Sequence, residues 1–96
     1  MARPYSASPV FDATTLPEAL RREHRTKEGV WGLLRMLAGE VRLVFPETNR
    51  EVLVTVDSPA PIPPEAPHYV RVAAPMRMQV EFYRADPLAP AADTDG

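Results

Sequence analysis

Two histidines, His24 and His68, are the only imidazole side chains in the 96-residue sequence, and they are the residues best suited to chemistry. Imidazole nitrogen binds zinc, iron, nickel and copper, and two histidines with one carboxylate form a workable set of metal ligands. We therefore predict that His24 and His68 are ligands of a divalent metal (zinc, iron or nickel). Glu28 is a candidate third ligand if its segment is a strand, because it would share a face with His24. The alternative is a pair of hydrogen-bonded pocket histidines without a metal.

Five further residues are candidates for lining a ligand pocket: Thr26, Lys27, Trp31, Glu81 and Tyr83. Lys27 could contact an anion, although a lysine of this kind is more often solvated. Trp31 and Tyr83 could line a ligand pocket, but they are more typical of core and rim positions, because aromatic side chains fill protein interiors. Alternation places Glu81 opposite Val80 and Phe82, so that it would face solvent or a partner subunit.

Composition excludes several classes of function. The chain has no cysteine, and therefore no disulfide, zinc–thiolate site or thiol nucleophile. Its net charge is −2, from 11 Lys and Arg against 13 Asp and Glu, so the chain lacks the excess of basic residues that is typical of proteins that bind nucleic acid or an anionic membrane. An apolar leader and an apolar run of about 18 residues are both absent, so we expect a cytoplasmic protein. No Ser-His-Asp order or phosphate-binding loop is found.

Short strands are the elements that must position these residues. Twelve prolines divide the chain into pieces that are too short for long helices. Segments rich in β-forming residues at 30–37 and 41–45 flank Gly39 and Glu40, and we predict that they pair as an antiparallel hairpin at this turn. The frequent turn signals indicate six or seven strands in a sandwich or barrel.

The remaining segments follow the same pattern. Residues 46–50 are predicted to be a turn, and residues 51–56 the strand after it. A second hairpin is predicted from residues 68–73 and 76–83. The exception is a short helical turn near residues 15–20, for which Thr15 is the candidate N-cap.

Alternation along the strands directs both histidines inward. His68 shares its face with Val70 and Val72, and a strand through His24 would place Leu20 on the same face. The last strand places one apolar set on one face: Met76, Met78, Val80 and Phe82. We therefore expect the two imidazoles to converge inside the protein.

Taken together, four motifs resemble those of the small cupin-like domain of the TehB/YeaR type. They are His-x-Thr-Lys-x-Gly-x-Trp-Gly at residues 24–32, the Gly39 turn, Pro-x-x-x-x-His at residues 63–68, and Val-Glu-Phe-Tyr at residues 80–83. The resemblance covers about residues 8–84. That domain occurs alone or ahead of tellurite-resistance methyltransferases, and the methyltransferase portion is missing here.

The resemblance implies an all-β, cupin-like double-stranded β-helix (jelly roll) that binds a metal. Two positions depart from the general cupin pattern, because Thr26 stands where a second histidine is usual and Glu65 where a glycine is usual. At most two of the usual three histidine ligands are therefore present.

We expect an extended segment at residues 1–9, one cupin-like domain at residues 10–84 and a disordered tail at residues 85–96. The expected function is binding of a metal or small molecule, tied to tellurite, oxidative or nitrosative stress by the resemblance. The alternative is a small metal-dependent cupin enzyme of the dioxygenase or isomerase type. The expected partners are a small-molecule ligand and a second copy in a homodimer, since the segment near Val10 and Phe11 offers an exchangeable strand.

Overall fold

Alternating apolar and polar side chains make this chain form strands rather than helices. The computed structural model describes residues 3–89, and within that range it contains eight β-strands and no α-helix. The strands are β1 (Ser6–Ala7), β2 (Phe11–Asp12), β3 (Trp31–Ala38), β4 (Val41–Phe45), β5 (Arg50–Val54), β6 (Ala60–Ile62), β7 (Tyr69–Arg71) and β8 (Arg77–Tyr83). Two 3₁₀ helices, Glu18–Arg21 and Pro46–Thr48, are the other regular elements. The prediction of an all-β protein is therefore confirmed.

The strands form two antiparallel sheets. In the first sheet, β8 pairs with β1 and β2 along one edge and with β3 along the other, and β6 pairs with the far edge of β3. The second sheet has the order β5-β4-β7. The inner faces of both sheets contribute to one hydrophobic core, so the sheets pack face to face.

The core contains the side chains that alternation directs inward. Leu34 and Met78 of the first sheet and Leu43 and Val54 of the second sheet have no exposed surface. The predicted alternation of the last strand is confirmed, since Met78 is fully buried and Val80 packs against the core while Arg77 is exposed. This alternation fixes which side chains face the space between the sheets.

The predicted hairpin at Gly39 and Glu40 is wrong. β3 pairs with β6 and β8, whereas β4 pairs with β5 and β7, so the two strands that this turn joins lie in different sheets. A type I′ hairpin turn needs positive φ at both central residues, but only Gly39 (φ 71°) has it. β3 is also buried on both faces, at Leu33 and Leu34. A strand of this kind needs partners along both edges, which β8 and β6 provide.

The predicted second hairpin, around Ala74 and Pro75, is also wrong, because β7 belongs to the second sheet and β8 to the first. A hairpin does form between β4 and β5. Its turn is the 3₁₀ helix Pro46–Thr48 followed by Asn49, which has the left-handed φ of 54° that asparagine tolerates better than most residues. The prediction of a turn after Phe45 is thus confirmed.

The helical turn lies slightly later than predicted, and Thr15 is not its N-cap. The 3₁₀ helix begins at Glu18, after Pro17, and no side chain caps it. Asp12 instead organises the preceding turn, where its carboxylate accepts hydrogen bonds from the backbone N–H groups of Thr14 and Thr15. Thr15 lies two residues before the N-cap position, Pro17, and its hydroxyl is hydrogen-bonded to Asp12 instead.

The first two strands pair with the last one. β1 and β2 pair with β8 of the same chain, so the segment near Phe11 is already part of a sheet. The expected homodimer stays a prediction. The disordered tail expected at residues 85–96 stays a prediction; in its first residues Ala89 N–H donates to the Asp86 carbonyl and Leu88 N–H to the Asp86 carboxylate. The rest of the tail, residues 90–96, lies outside the described residues. No helix in the described range could span a membrane.

We expect Gly39→Ala to lower the free energy of unfolding by about 2–4 kcal/mol, because it combines a left-handed backbone with crowding. An added Cβ would lie 2.8 Å from the Pro75 carbonyl oxygen. Gly29→Ala is the matched control, since Gly29 has a similar φ of 76° but no atom within 4 Å of the added Cβ. It should cost only about 1–2 kcal/mol. Urea unfolding of both variants tests this, and equal losses would contradict the crowding at Gly39.

Candidate functional site

His24 and His68 lie opposite each other in a two-residue bridge between separate segments of the chain. The His24 N–H donates to the His68 carbonyl at 2.9 Å, and the His68 N–H donates to the His24 carbonyl at 2.8 Å. Residues that are directly opposite in an antiparallel pair project their side chains to the same face. The two ring centroids are accordingly 4.1 Å apart, with the ring planes inclined by 58°.

Thr26 extends this bridge toward the proline-rich loop that precedes His68. Its hydroxyl donates to the Pro63 carbonyl at 3.3 Å, and its carbonyl accepts from the Glu65 N–H at 3.2 Å. Glu65 has a left-handed φ of 61°. The segment after the first 3₁₀ helix is thus attached to the segment before β7 at several points, and these attachments hold the two rings together.

Backbone carbonyl groups fix the tautomer of both imidazoles. His24 Nδ1 lies 2.9 Å from the Arg22 carbonyl oxygen, and His68 Nδ1 lies 2.7 Å from the Ala66 carbonyl oxygen. A carbonyl oxygen only accepts hydrogen bonds, so each Nδ1 must be the protonated donor. In the neutral rings, each Nε2 is then an acceptor with a free lone pair, and neither has a hydrogen-bond partner within residues 3–89.

Burial keeps His68 neutral at physiological pH. Its side chain is 2% exposed, and this burial lowers the pKa of His68 from 6.5 to about 4. The hydrogen bond to the Ala66 carbonyl opposes the shift in pKa, while the neighbouring His24 adds to it. The site therefore presents an uncharged Nε2 acceptor at neutral pH.

The two imidazoles line a cavity of about 560 Å³. This volume is within the range of small-molecule sites in proteins. The wall is mostly apolar and comes from both sheets and the segments that connect them: Phe11, Leu20, Val30, Leu34, Ile62, Val70, Met78, Val80 and Phe82. The histidines are therefore polar groups set into an otherwise water-repelling surface.

Two of the five predicted pocket residues, Thr26 and Lys27, line this cavity, and the other three do not. Trp31, Glu81 and Tyr83 lie on the opposite face of the β3–β8 pair, where Trp31 is directly across from Tyr83. Alternation had indicated this orientation for Glu81. Arg25, Val80 and Phe82 line the cavity but were not among the predicted site residues. The apolar alternation of β8 was the signal that could have identified Val80 and Phe82.

Glu81 is hydrogen-bonded to two neighbouring side chains on that opposite face. Its Oε1 accepts hydrogen bonds from Arg35 Nε and from the Tyr83 hydroxyl, both at 2.7 Å. Partial burial raises the pKa of Glu81, but the hydrogen bonds from Arg35 and Tyr83 together outweigh it and lower the pKa overall. This carboxylate is thus kept charged and engaged away from the cavity.

The metal-ligand set that this chain offers near the cavity consists of the two imidazoles. Within residues 3–89 there is no group of three or more His, Cys, Asp or Glu side chains that could hold an ion, so Glu28 is not brought together with the histidines. A hydrogen bond from Nδ1 to a carbonyl is nevertheless the usual support for a histidine that binds metal through Nε2. The donors fit a divalent ion only if water or a bound molecule supplies the remaining ligands.

Comparisons with known proteins give a consistent result. The family model for the TehB-like domain matches residues 6–80. Among solved structures, TehB from Haemophilus influenzae has a TM-score of 0.74 at 28% identity, covering 84% of this chain and 30% of that one. A protein from E. coli strain K12 has the same fold, with a TM-score of 0.76 at 18% identity, covering 85% of this chain and 89% of that one. This chain thus spans less than a third of the TehB chain. The comparison with curated proteins finds no match.

We expect the free energy of unfolding to fall by up to about 3 kcal/mol as the pH decreases from about 6.5 to 4, because of His68. In this window the unfolded chain binds a proton at His68 that the folded chain does not, so acid favours unfolding. Urea unfolding at several pH values, with a chelator present, measures the dependence. His68→Gln should remove most of the slope above pH 5, and an identical slope in this variant would contradict the assignment.

Proposed function

The chain belongs to the TehB-like domain family, linked by its name to tellurite resistance, and we propose that it is a cupin-type module that binds a small molecule between its two sheets. The family membership confirms the resemblance that the sequence motifs indicated. We also propose that binding of this ligand is linked to tellurite, oxidative or nitrosative stress.

The observation that carries this proposal is the combination of an apolar cavity with two oriented acceptors. The cavity measures about 560 Å³, and His24 and His68 line it. Small-molecule sites are typically apolar pockets of this size with a few polar groups that fix the orientation of the ligand. Because both Nδ1 atoms are engaged with carbonyl groups, the neutral rings offer only Nε2 acceptors, which suit a hydroxyl or amine donor on the ligand or a metal ion.

Metal binding is the second candidate function, and the fixed tautomers favour it. A neutral imidazole needs no proton loss before its Nε2 binds an ion, and the low pKa of His68 keeps that ring neutral in mild acid. An ion held there would act as a Lewis acid toward a bound molecule. Metal-dependent catalysis needs a firmly held ion, which two protein ligands support poorly, so we favour a binding role over an enzyme.

We expect the neutral dye N-phenyl-1-naphthylamine to bind in the cavity and increase its fluorescence, since the cavity wall is apolar. Val80→Phe adds a ring to that wall and should weaken dye binding by about tenfold or more. Val56→Phe is the matched control, because Val56 is 56% exposed and does not line the cavity. It should leave binding unchanged. Equal binding by both variants would show that the dye site lies elsewhere, and no binding by the wild type would contradict the proposed function.

We expect Zn²⁺ or Ni²⁺ to bind the purified protein with one ion per chain, and His24→Ala or His68→Ala to abolish that binding, because each removes half of the imidazole donors. Metal content after dialysis and calorimetric titration measure it. Glu28→Gln is the control, and circular dichroism checks the fold of every variant. Metal retained by both histidine variants would rule out the shared site, leaving the small-molecule proposal to the dye experiment.

A further inference from the structure

Positive charge is concentrated at the opening of the cavity. Arg25 and Lys27 are the charged side chains that line it, and within the described residues no Asp or Glu lines it. Both are exposed, whereas His68 is almost fully buried, so the cations lie at the solvent end and His68 at the inner end. The lysine and arginine side chains of the site thus lie at its opening.

These two cations are not neutralised by ion pairing. The four ion pairs of residues 3–89 use other arginines: Arg22 with Glu18, Arg35 with Glu81, and Arg42 and Arg71 with Glu51. Arg25 and Lys27 take part in none of these pairs. Their charge is therefore available to a bound molecule, and low-dielectric walls beside an opening strengthen its effect.

We propose that the molecule bound in this cavity is an amphipathic anion, with an apolar body between the sheets and its negative group at Arg25 and Lys27. The inference rests on the proposed small-molecule function and names the ligand class. A carboxylate buried at the inner end would lose its hydration against a mostly apolar wall, so the charged group belongs at the opening. A small inorganic oxyanion is disfavoured, because the apolar wall could not replace its hydration.

A charge series on one apolar chain tests the proposal: octanoate, 1-octanol and octylamine, each titrated calorimetrically at pH 7.5. We expect octanoate to bind about tenfold more tightly than octanol, with octylamine the weakest, since two rim cations attract the carboxylate. Hydrophobic transfer alone would favour octanol over octanoate, because a hydroxyl group is less strongly hydrated than a carboxylate. The preference for octanoate should shrink as salt is added.

Matched variants locate the charge effect. The double variant Arg25→Gln with Lys27→Gln should reduce octanoate affinity to the level of octanol and leave octanol binding unchanged. The control Arg22→Gln with Arg77→Gln removes the same charge from two exposed residues outside the cavity wall and should change neither affinity. An unchanged octanoate affinity in the first variant would overturn the proposal.

The other outcomes separate this inference from the function on which it rests. Octanol or octylamine binding at least as tightly as octanoate would overturn the anion preference while leaving the small-molecule function standing. Tellurite binding as tightly as octanoate would overturn the need for an apolar body. If none of the three compounds and no neutral dye binds, the proposed function itself fails.

Discussion

The pairing of β3 with β8 is the constraint on which the rest of this structure depends. The two strands are in register from Trp31 opposite Tyr83 to Met36 opposite Met78. Their inner face supplies the core and one wall of the cavity, and their outer face supplies the hydrogen bonds that join Arg35, Glu81 and Tyr83. Because β8 occupies one edge of β3 and β6 the other, β4 has no place beside β3 and must begin the second sheet.

The division between two sheets is what creates the site. Had β3 and β4 formed a hairpin, both would lie in one sheet, and the space that the histidines line would not be enclosed from both sides. The bridge between His24 and His68 instead joins the segment that precedes β3 to the segment that precedes β7, one leading into each sheet. Two backbone hydrogen bonds thus set the separation of the rings, independently of any ligand.

The electrostatics of the site follow from burial at one end and exposure at the other. Desolvation favours the neutral form of an imidazole, which makes His68 a lone-pair donor rather than a cation. Arg25 and Lys27 stay solvated and charged at the opening. The cavity therefore has a buried imidazole at one end and exposed cations at the other.

The sequence by itself determined the all-β class, most strand positions, the inward alternation of Met78 and Val80, and the family. It also predicted that both histidine side chains point inward, because residue type and alternation along a strand are properties of a short segment. Only the tertiary structure decided which strands pair, since two-residue alternation is the same whatever the neighbour and depends on no long-range contact. It also decided that Lys27 lines the cavity and that His24 pairs with His68. These outcomes depend on contacts between residues far apart in the chain, which no local pattern contains.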